Sequence, residues 1–174
     1  STYISYKKNV VVISAGKSST VLIEYLLNEA AGNNWLITVA DSNLALAQSK
    51  ISNSPNGKAI ALDVTDDGQR SNIVQSAHIV ISLLPPALHY LLAQDCLRYG
   101  RHLLTASYVD EKIQALQQQI SDKGILFLCE MGLDPGIDHM SAMQLIHDIK
   151  ARGGKVISFK SHCGGLVAPE NDEN

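Results

Sequence analysis

The sequence has few of the residues that mark several common classes of protein. Only 3 of its 174 residues are cysteines, and they form no C-x-x-C pair, so we expect neither a disulfide framework nor a zinc or other metal site. Lys and Arg number 14 against 17 Asp and Glu, which disfavours a nucleic-acid-binding surface. No apolar run approaches the ~20 residues of a membrane span, and the N-terminus has no apolar signal core. These absences predict a reduced, cytoplasmic protein with no membrane contact.

The residues that are present predict an alternating α/β fold. The chain is 45% hydrophobic and 18% charged, enough apolar material for a packed core. Strands are predicted at 9–13, 36–40, 58–62, 78–83, 102–105 and 125–128. Helices are predicted at 18–29, 42–51 (with Ser42 as N-cap), 67–76, 86–99 and 110–123. This alternation is typical of a doubly wound, Rossmann-like parallel sheet.

The turn after the first strand is the candidate phosphate-binding loop. The segment Ser14-Ala-Gly16-Lys17-Ser18-Ser19 matches G-x-G-x-x-G/A only at Gly16, where the backbone must approach a pyrophosphate. Ser14 and Ser19 replace the two outer glycines with small residues. A small-residue turn between a strand and a helix is about as often merely structural.

Asp41 ends the second predicted strand, where an acidic residue binds the ribose 2′-hydroxyl in this fold. A carboxylate there would repel a 2′-phosphate, so the sequence favours NAD over NADP. The alternative is an acid at the start of the next helix, beside its N-cap.

Two further segments follow strands and would line the same groove. Asp63 and Val64 follow the third strand, where an adenine edge would lie, although Asp63 could equally cap the next helix. Ser82, Leu83 and Leu84 follow the fourth strand and precede Pro85-Pro86, which could be only a rigid turn.

The character of the sequence changes after residue 130. A turn-rich segment at 132–139 precedes a predicted helix at about 140–152 and a predicted strand at 155–161 that has no obvious partner. We therefore predict a dinucleotide-binding domain at 1–130. Residues 131–174 would begin a second, α+β substrate domain that is cut short.

Taken together, these segments resemble the family of saccharopine reductases, the L-glutamate-forming saccharopine dehydrogenases. The resemblance covers nearly the whole chain, and its most specific strings are G-L-D-P-G-I-D-H at 132–139 and C-G-G-L at 163–166. The other matching strings are L-D-V-T-D-D at 62–67, V-I-S-L-L-P at 80–85 and T-A-S-Y at 105–108.

The resemblance implies an oxidoreductase of lysine metabolism that interconverts saccharopine with L-glutamate and 2-aminoadipate 6-semialdehyde, using NAD or NADP. It implies substrate contacts at Ser107, Tyr108 and Asp134, and catalytic roles for Asp134, Cys163 and Tyr108. It also implies a nicotinamide-side surface that includes Thr105, Leu133 and Pro135.

The residues themselves are compatible with this chemistry. Imine formation needs a proton donor and acceptor within hydrogen-bond reach of the reacting nitrogen. Asp134 lies on a Pro- and Gly-bounded turn that would hold a carboxylate rigidly, and Cys163 and Tyr108 offer a thiol and a phenol. Without the resemblance, a turn residue, a buried filler and a rim aromatic would be the simpler interpretations.

Other interpretations stay open. His139 is a candidate supporting residue, whereas His89 and His147 are expected to be packing or surface residues. The chain could belong to a related reductase acting on another amino-acid or polyamine adduct, or to a non-catalytic dinucleotide-binding protein. The expected ligand is in every case a small molecule, and a homodimer is compatible with the sequence.

Overall fold

A computed structural model describes residues 7–14, 16, 19–105, 111–125, 127–130 and 160–162. These residues form one seven-stranded sheet with the spatial order β3-β2-β1-β4-β5-β6-β7. Every neighbouring pair of strands is parallel. The doubly wound sheet that the sequence predicts is therefore confirmed.

The strands and helices have the following bounds. The strands are β1 (Lys8–Ile13), β2 (Trp35–Asp41), β3 (Gly57–Ala61), β4 (Ile79–Ser82), β5 (His102–Thr105), β6 (Phe127–Glu130) and β7 (Lys160–His162). The helices are α1 (Thr20–Asn33), α2 (Leu44–Ile51), α3 (Asp67–Ser76), α4 (Pro86–Tyr99), α5 (Glu111–Gln114) and α6 (Gln117–Asp122).

The two faces of the sheet are covered by different helices. Val10 and Val12 pack with residues of α1 and α2 on one face. Val11 and Ile13 pack with residues of α3, α4, α5 and α6 on the other. Because both faces are buried, β1 continues from residue 10 as an uninterrupted β-branched run rather than an alternating one.

Capping residues decide where the helices begin and end, both where the prediction holds and where it does not. Helix α4 spans the predicted residues, with Pro86 in its first turn and Gly100 as a left-handed C-cap at φ 71°. Helix α1 runs past the predicted end at 29 because Asn34 supplies the left-handed cap instead, at φ 59°. The N-cap of α2 is Asn43 rather than Ser42, since the Asn43 side chain accepts the Leu46 N–H.

The last third of the chain departs further from the prediction. The helix expected at 110–123 is divided into α5 and α6 by a tighter turn, in which the Leu116 N–H bonds to the Ile113 carbonyl. The expectation that the terminal strand finds no partner in the chain is wrong, because β7 pairs with β6. The helix predicted at 140–152 lies outside the described residues.

Candidate functional site

The predicted cofactor residues that the structure describes lie at one edge of the sheet. Across that edge, Asp63 follows β3, Asp41 ends β2, Gly16 follows β1, Ser82 ends β4 and Thr105 ends β5. Because all of these strands are parallel, their carboxyl ends meet at the same edge. The chain reverses its winding direction between β1 and β4, the position where ligands bind in open α/β sheets.

The turn between β1 and α1 is the predicted phosphate-binding loop, and Ser14, Gly16 and Ser19 are its described residues. Ser14 has φ 88°, a left-handed conformation that normally requires glycine. Beyond its chain neighbours, a Cβ added to Gly16 would meet no atom of the described residues within 4 Å. Among those residues, nothing fills the space that a pyrophosphate at Gly16 would occupy.

Ser19 closes this turn from the inside. Its side chain is fully buried, and its hydroxyl donates to the Gly16 carbonyl at 2.6 Å. The third glycine of the motif allows close helix–strand packing, and the small Ser19 meets the same spatial requirement. The neighbouring candidates Lys17 and Ser18 lie outside the described residues.

Asp41 is held at the end of β2 by the start of α2. Its Oδ2 accepts the backbone N–H of Asn43 at 2.8 Å, and its carbonyl accepts the Leu62 N–H at 2.9 Å. The first contact agrees with the alternative interpretation of a helix-entry acid. The same carboxylate lies at the strand end where this fold binds a ribose hydroxyl.

Asp63 organises the loop after β3. Its carboxylate accepts both the hydroxyl of Thr65 at 2.6 Å and the Thr65 N–H at 3.0 Å, and these hydrogen bonds lower the pKa of Asp63. The N-cap of α3 is Asp66, so the capping alternative for Asp63 is wrong. Val64 is half-buried, and its carbonyl accepts a hydrogen bond from Arg70 at 2.8 Å.

The turn after β4 is tied to the centre of the sheet. Leu83 donates its N–H to the Ile13 carbonyl at 3.0 Å, which joins the turn to the end of β1. Leu83 and Leu84 pack against the core clusters of opposite faces. Ser82 and Thr105 are register partners and both are buried, and no described residue hydrogen-bonds the Thr105 hydroxyl.

His89 is the residue that the sequence analysis undervalued. We expected it to be a packing or surface residue, and the structure buries it and places its Nδ1 3.0 Å from Ser82 Oγ. The available signal was its spacing, because α4 starts only four residues after the end of β4 and its fourth residue can return to the strand end.

The proposed substrate and catalytic residues cannot be placed. The described residues do not include Ser107, Tyr108, Leu133, Asp134, Pro135, His139 or Cys163.

Within the part of the chain that the structure describes, no cluster of three His, Cys, Asp or Glu side chains could hold a metal ion. In that same part, none of the helices has the length and apolarity required to cross a bilayer.

Two family profiles match the chain. Residues 10–128 match the family described as the saccharopine dehydrogenase NADP binding domain. Residues 132–174 match the family described as the saccharopine dehydrogenase C-terminal domain.

Characterised relatives carry consistent names. The chain is 37% identical over 166 residues to a saccharopine dehydrogenase [NADP(+), L-glutamate-forming] of Schizosaccharomyces pombe, covering 95% of this chain and 36% of the relative. A Saccharomyces cerevisiae enzyme of the same name is 38% identical over 96% of this chain and 36% of its own length. The mitochondrial alpha-aminoadipic semialdehyde synthase of Mus musculus is 37% identical, over 98% of this chain and 18% of the relative. The chain thus spans about a third or less of the length of these relatives. Because one of them is mitochondrial, the cytoplasmic location stays a prediction.

Two solved structures superpose on this chain. A saccharopine dehydrogenase (L-Glu forming) from S. cerevisiae superposes with a TM-score of 0.66 at 34% identity, over 84% of this chain and 32% of that one. A short-chain dehydrogenase from Mycobacterium smegmatis superposes with a TM-score of 0.59 at 10% identity, over 90% of this chain and 91% of that one. At this identity, the likeness shows the shared fold alone. None of the names favours a different adduct or a non-catalytic protein.

Proposed function

Because this chain belongs to the family of saccharopine dehydrogenase NADP-binding domains, we propose that it supplies the dinucleotide-binding half of an L-glutamate-forming saccharopine dehydrogenase. The observation that carries the proposal is the turn between β1 and α1. It combines the left-handed Ser14 with the open Gly16 at the point where the sheet reverses its winding.

The described residues fit a nicotinamide dinucleotide laid across the edge. The pyrophosphate would lie on the N-terminus of α1, whose dipole favours an anion and whose first turn contains no acidic residue. The adenosine half would extend toward Asp41 and Asp63. The nicotinamide half would extend toward Ser82 and Thr105.

The proposed reaction oxidises the secondary amine of saccharopine to an imine, which water cleaves to L-glutamate and 2-aminoadipate 6-semialdehyde. A nicotinamide dinucleotide held at this edge would supply the acceptor for the hydride that leaves the carbon beside the amine. Asp134 would orient the amine and stabilise the positive charge that develops there, while Ser107 and Tyr108 would bind the substrate. Cys163 and the phenol of Tyr108 are the further candidates for moving a proton.

For the cofactor, we propose that this chain prefers NADH to NADPH. The names of the fungal relatives specify NADP(+), so the preference would set this chain apart from them. Its support is the Asp41 carboxylate at the end of β2, which a 2′-phosphate would meet as a negative charge.

The reaction is tested by adding saccharopine and either NAD+ or NADP+ to the full-length protein. We expect reduced nicotinamide to appear together with L-glutamate in equal amounts. Reduced nicotinamide formed only with a different amino-acid or polyamine adduct would favour the related-reductase alternative. Dinucleotide binding without turnover of any adduct would favour a non-catalytic protein.

A further inference from the structure

The edge of the sheet contains a buried polar pair that the expected chemistry does not use directly. Ser82, the last residue of β4, is fully buried, and His89, in the second turn of α4, is 2% exposed. Their side chains meet at 3.0 Å, between Oγ and Nδ1. Burying two polar side chains is costly unless they bond to each other or to the backbone.

The Ser82 hydroxyl also holds the turn that connects β4 to α4. It accepts the backbone N–H of Leu84 at 3.4 Å, while the neighbouring Leu83 N–H bonds to the Ile13 carbonyl at 3.0 Å. The same hydroxyl therefore contacts both the turn and the helix that follows it. A ring that fixes this hydroxyl also fixes the backbone of the turn.

The position of this turn makes the pair relevant to ligand binding. Ser82 is the register partner of Ile13 on one side and of Thr105 on the other, so it lies between the phosphate turn and the end of β5. In an open α/β sheet, this is where the nicotinamide half of a dinucleotide crosses the edge.

We propose that His89 is a positioning residue for the cofactor. Through its hydrogen bond to Ser82, it holds residues 82–85 in the conformation that lines the nicotinamide half of the groove. It need not touch the cofactor itself. This inference rests on the proposed dinucleotide function.

The test compares variants of His89 with a packing control in the full chain. His89→Leu keeps a side chain of similar size in the buried position and removes the hydrogen bond. His89→Asn restores a polar atom at the position of Nδ1, since that amide is attached to Cγ as the ring nitrogen is. Leu92→Ala is the control, because Leu92 is fully buried in the same helix but not at the turn.

The measured quantities are the Kd for NADH and NADPH and the free energy of unfolding. For His89→Leu, we expect the Kd of the preferred cofactor to rise roughly 5–10-fold, which corresponds to one lost hydrogen bond. His89→Asn should return it to within about 2-fold of wild type, and Leu92→Ala should leave it unchanged while lowering stability. Ser82→Ala should raise the Kd as His89→Leu does, and the double variant should bind no more weakly than either single variant.

Two results would overturn the inference. The first is an unchanged Kd in His89→Leu or in Ser82→Ala, which would make the pair a packing feature. The second is a failure of His89→Asn to restore affinity. A wild-type protein that binds neither dinucleotide would instead refute the proposed function, and with it the role of His89.

Discussion

Arg70 of α3 and Asp95 of α4 form a buried ion pair, with Nε 2.6 Å from Oδ2. Arg70 also donates to the Val64 carbonyl and to Asp67. Burial works to lower the pKa of Arg70, but its hydrogen bonds to Asp95 and Asp67 raise it above the usual value. Arg70 thus ties the loop after β3 to α3 and α4.

The two acidic partners of Arg70 give an internally controlled prediction of stability. The Asp95 side chain is 10% exposed and that of Asp67 is 90% exposed. We expect Asp95→Asn to lower the free energy of unfolding by about 3 kcal/mol, because it removes the buried counter-charge of Arg70 and leaves only the exposed Asp67. Asp67→Asn should cost less than about 1 kcal/mol. Equal losses in urea denaturation would show that burial does not govern the pair.

The preference for NADH is tested at Asp41. We expect wild type to bind NADH more tightly than NADPH by roughly 1–3 kcal/mol, because the negative charge of Asp41 would repel a 2′-phosphate. Asp41→Asn keeps the acceptor for the Asn43 N–H but removes the charge, so NADPH affinity should rise and NADH affinity should change little. Asp122→Asn, the same change on α6, should affect neither. Fluorescence titration that finds NADPH bound equally well or better by wild type would refute the assignment.

Because His102 is largely buried, we expect the free energy of unfolding to fall in mild acid. Burial lowers the pKa of His102 from 6.5 to about 4, with a smaller effect from the charge of Lys8. The unfolded chain therefore binds the proton first, and stability falls as pH drops from about 6.5 to about 4. The loss should be about 1–2 kcal/mol, less than the full linkage value because solvent screens the partly exposed ring.

The variant His102→Gln isolates this contribution because its side chain does not titrate. Its free energy of unfolding should depend less on pH over that window than that of wild type. Burial also lowers the pKa of His78, with smaller effects from Lys8 and Arg101, so some pH dependence of the same sign should persist. Parallel pH profiles for wild type and variant would contradict the prediction.

Asp134 carries the chemical part of the proposal. In the full-length enzyme, Asp134→Asn keeps the shape and removes the charge, so kcat/KM for saccharopine should fall by about 10²–10⁴-fold if the residue acts in acid–base chemistry. Cofactor affinity should stay near wild type, because the turn at Gly16 is untouched. A parallel loss of both would indicate a folding residue, and no change in either would remove Asp134 from the mechanism.

The sequence predicted the elements whose ends are marked by local chemistry. Helix α4 was predictable because Pro86 and Gly100 favour a start and a stop. Strand β6 begins at Phe127, later than predicted, because Gly124 at φ 68° and the bond from the Ile125 N–H to the Ile120 carbonyl first close α6. Such a cap is formed by the backbone and leaves little pattern in the apolar residues.

The candidate site was predictable in its positions and less so in its contacts. The strand ends located Asp41, Asp63 and Ser82 at one edge, since parallel strands share their direction. The left-handed conformation of Ser14 could not be predicted, because serine seldom adopts it. The bond between Ser82 and His89 depends on how α4 returns over the sheet, which is tertiary packing.

Gly16 offers the most direct test of the central claim that a dinucleotide binds on the turn between β1 and α1. Beyond its chain neighbours and its own helix backbone, a Cβ added at Gly16 or at Gly32, near the other end of α1, would meet no atom of the described residues within 4 Å. We therefore expect Gly16→Val and Gly32→Val both to fold with little change in Tm. Only the Gly16 side chain would occupy the space of the pyrophosphate.

Isothermal titration with NADH and NADPH should show a Kd at least 10-fold higher for Gly16→Val, a loss of about 1.4 kcal/mol or more of binding free energy. The Kd of Gly32→Val should be unchanged. Equal affinity in Gly16→Val and wild type would contradict the account.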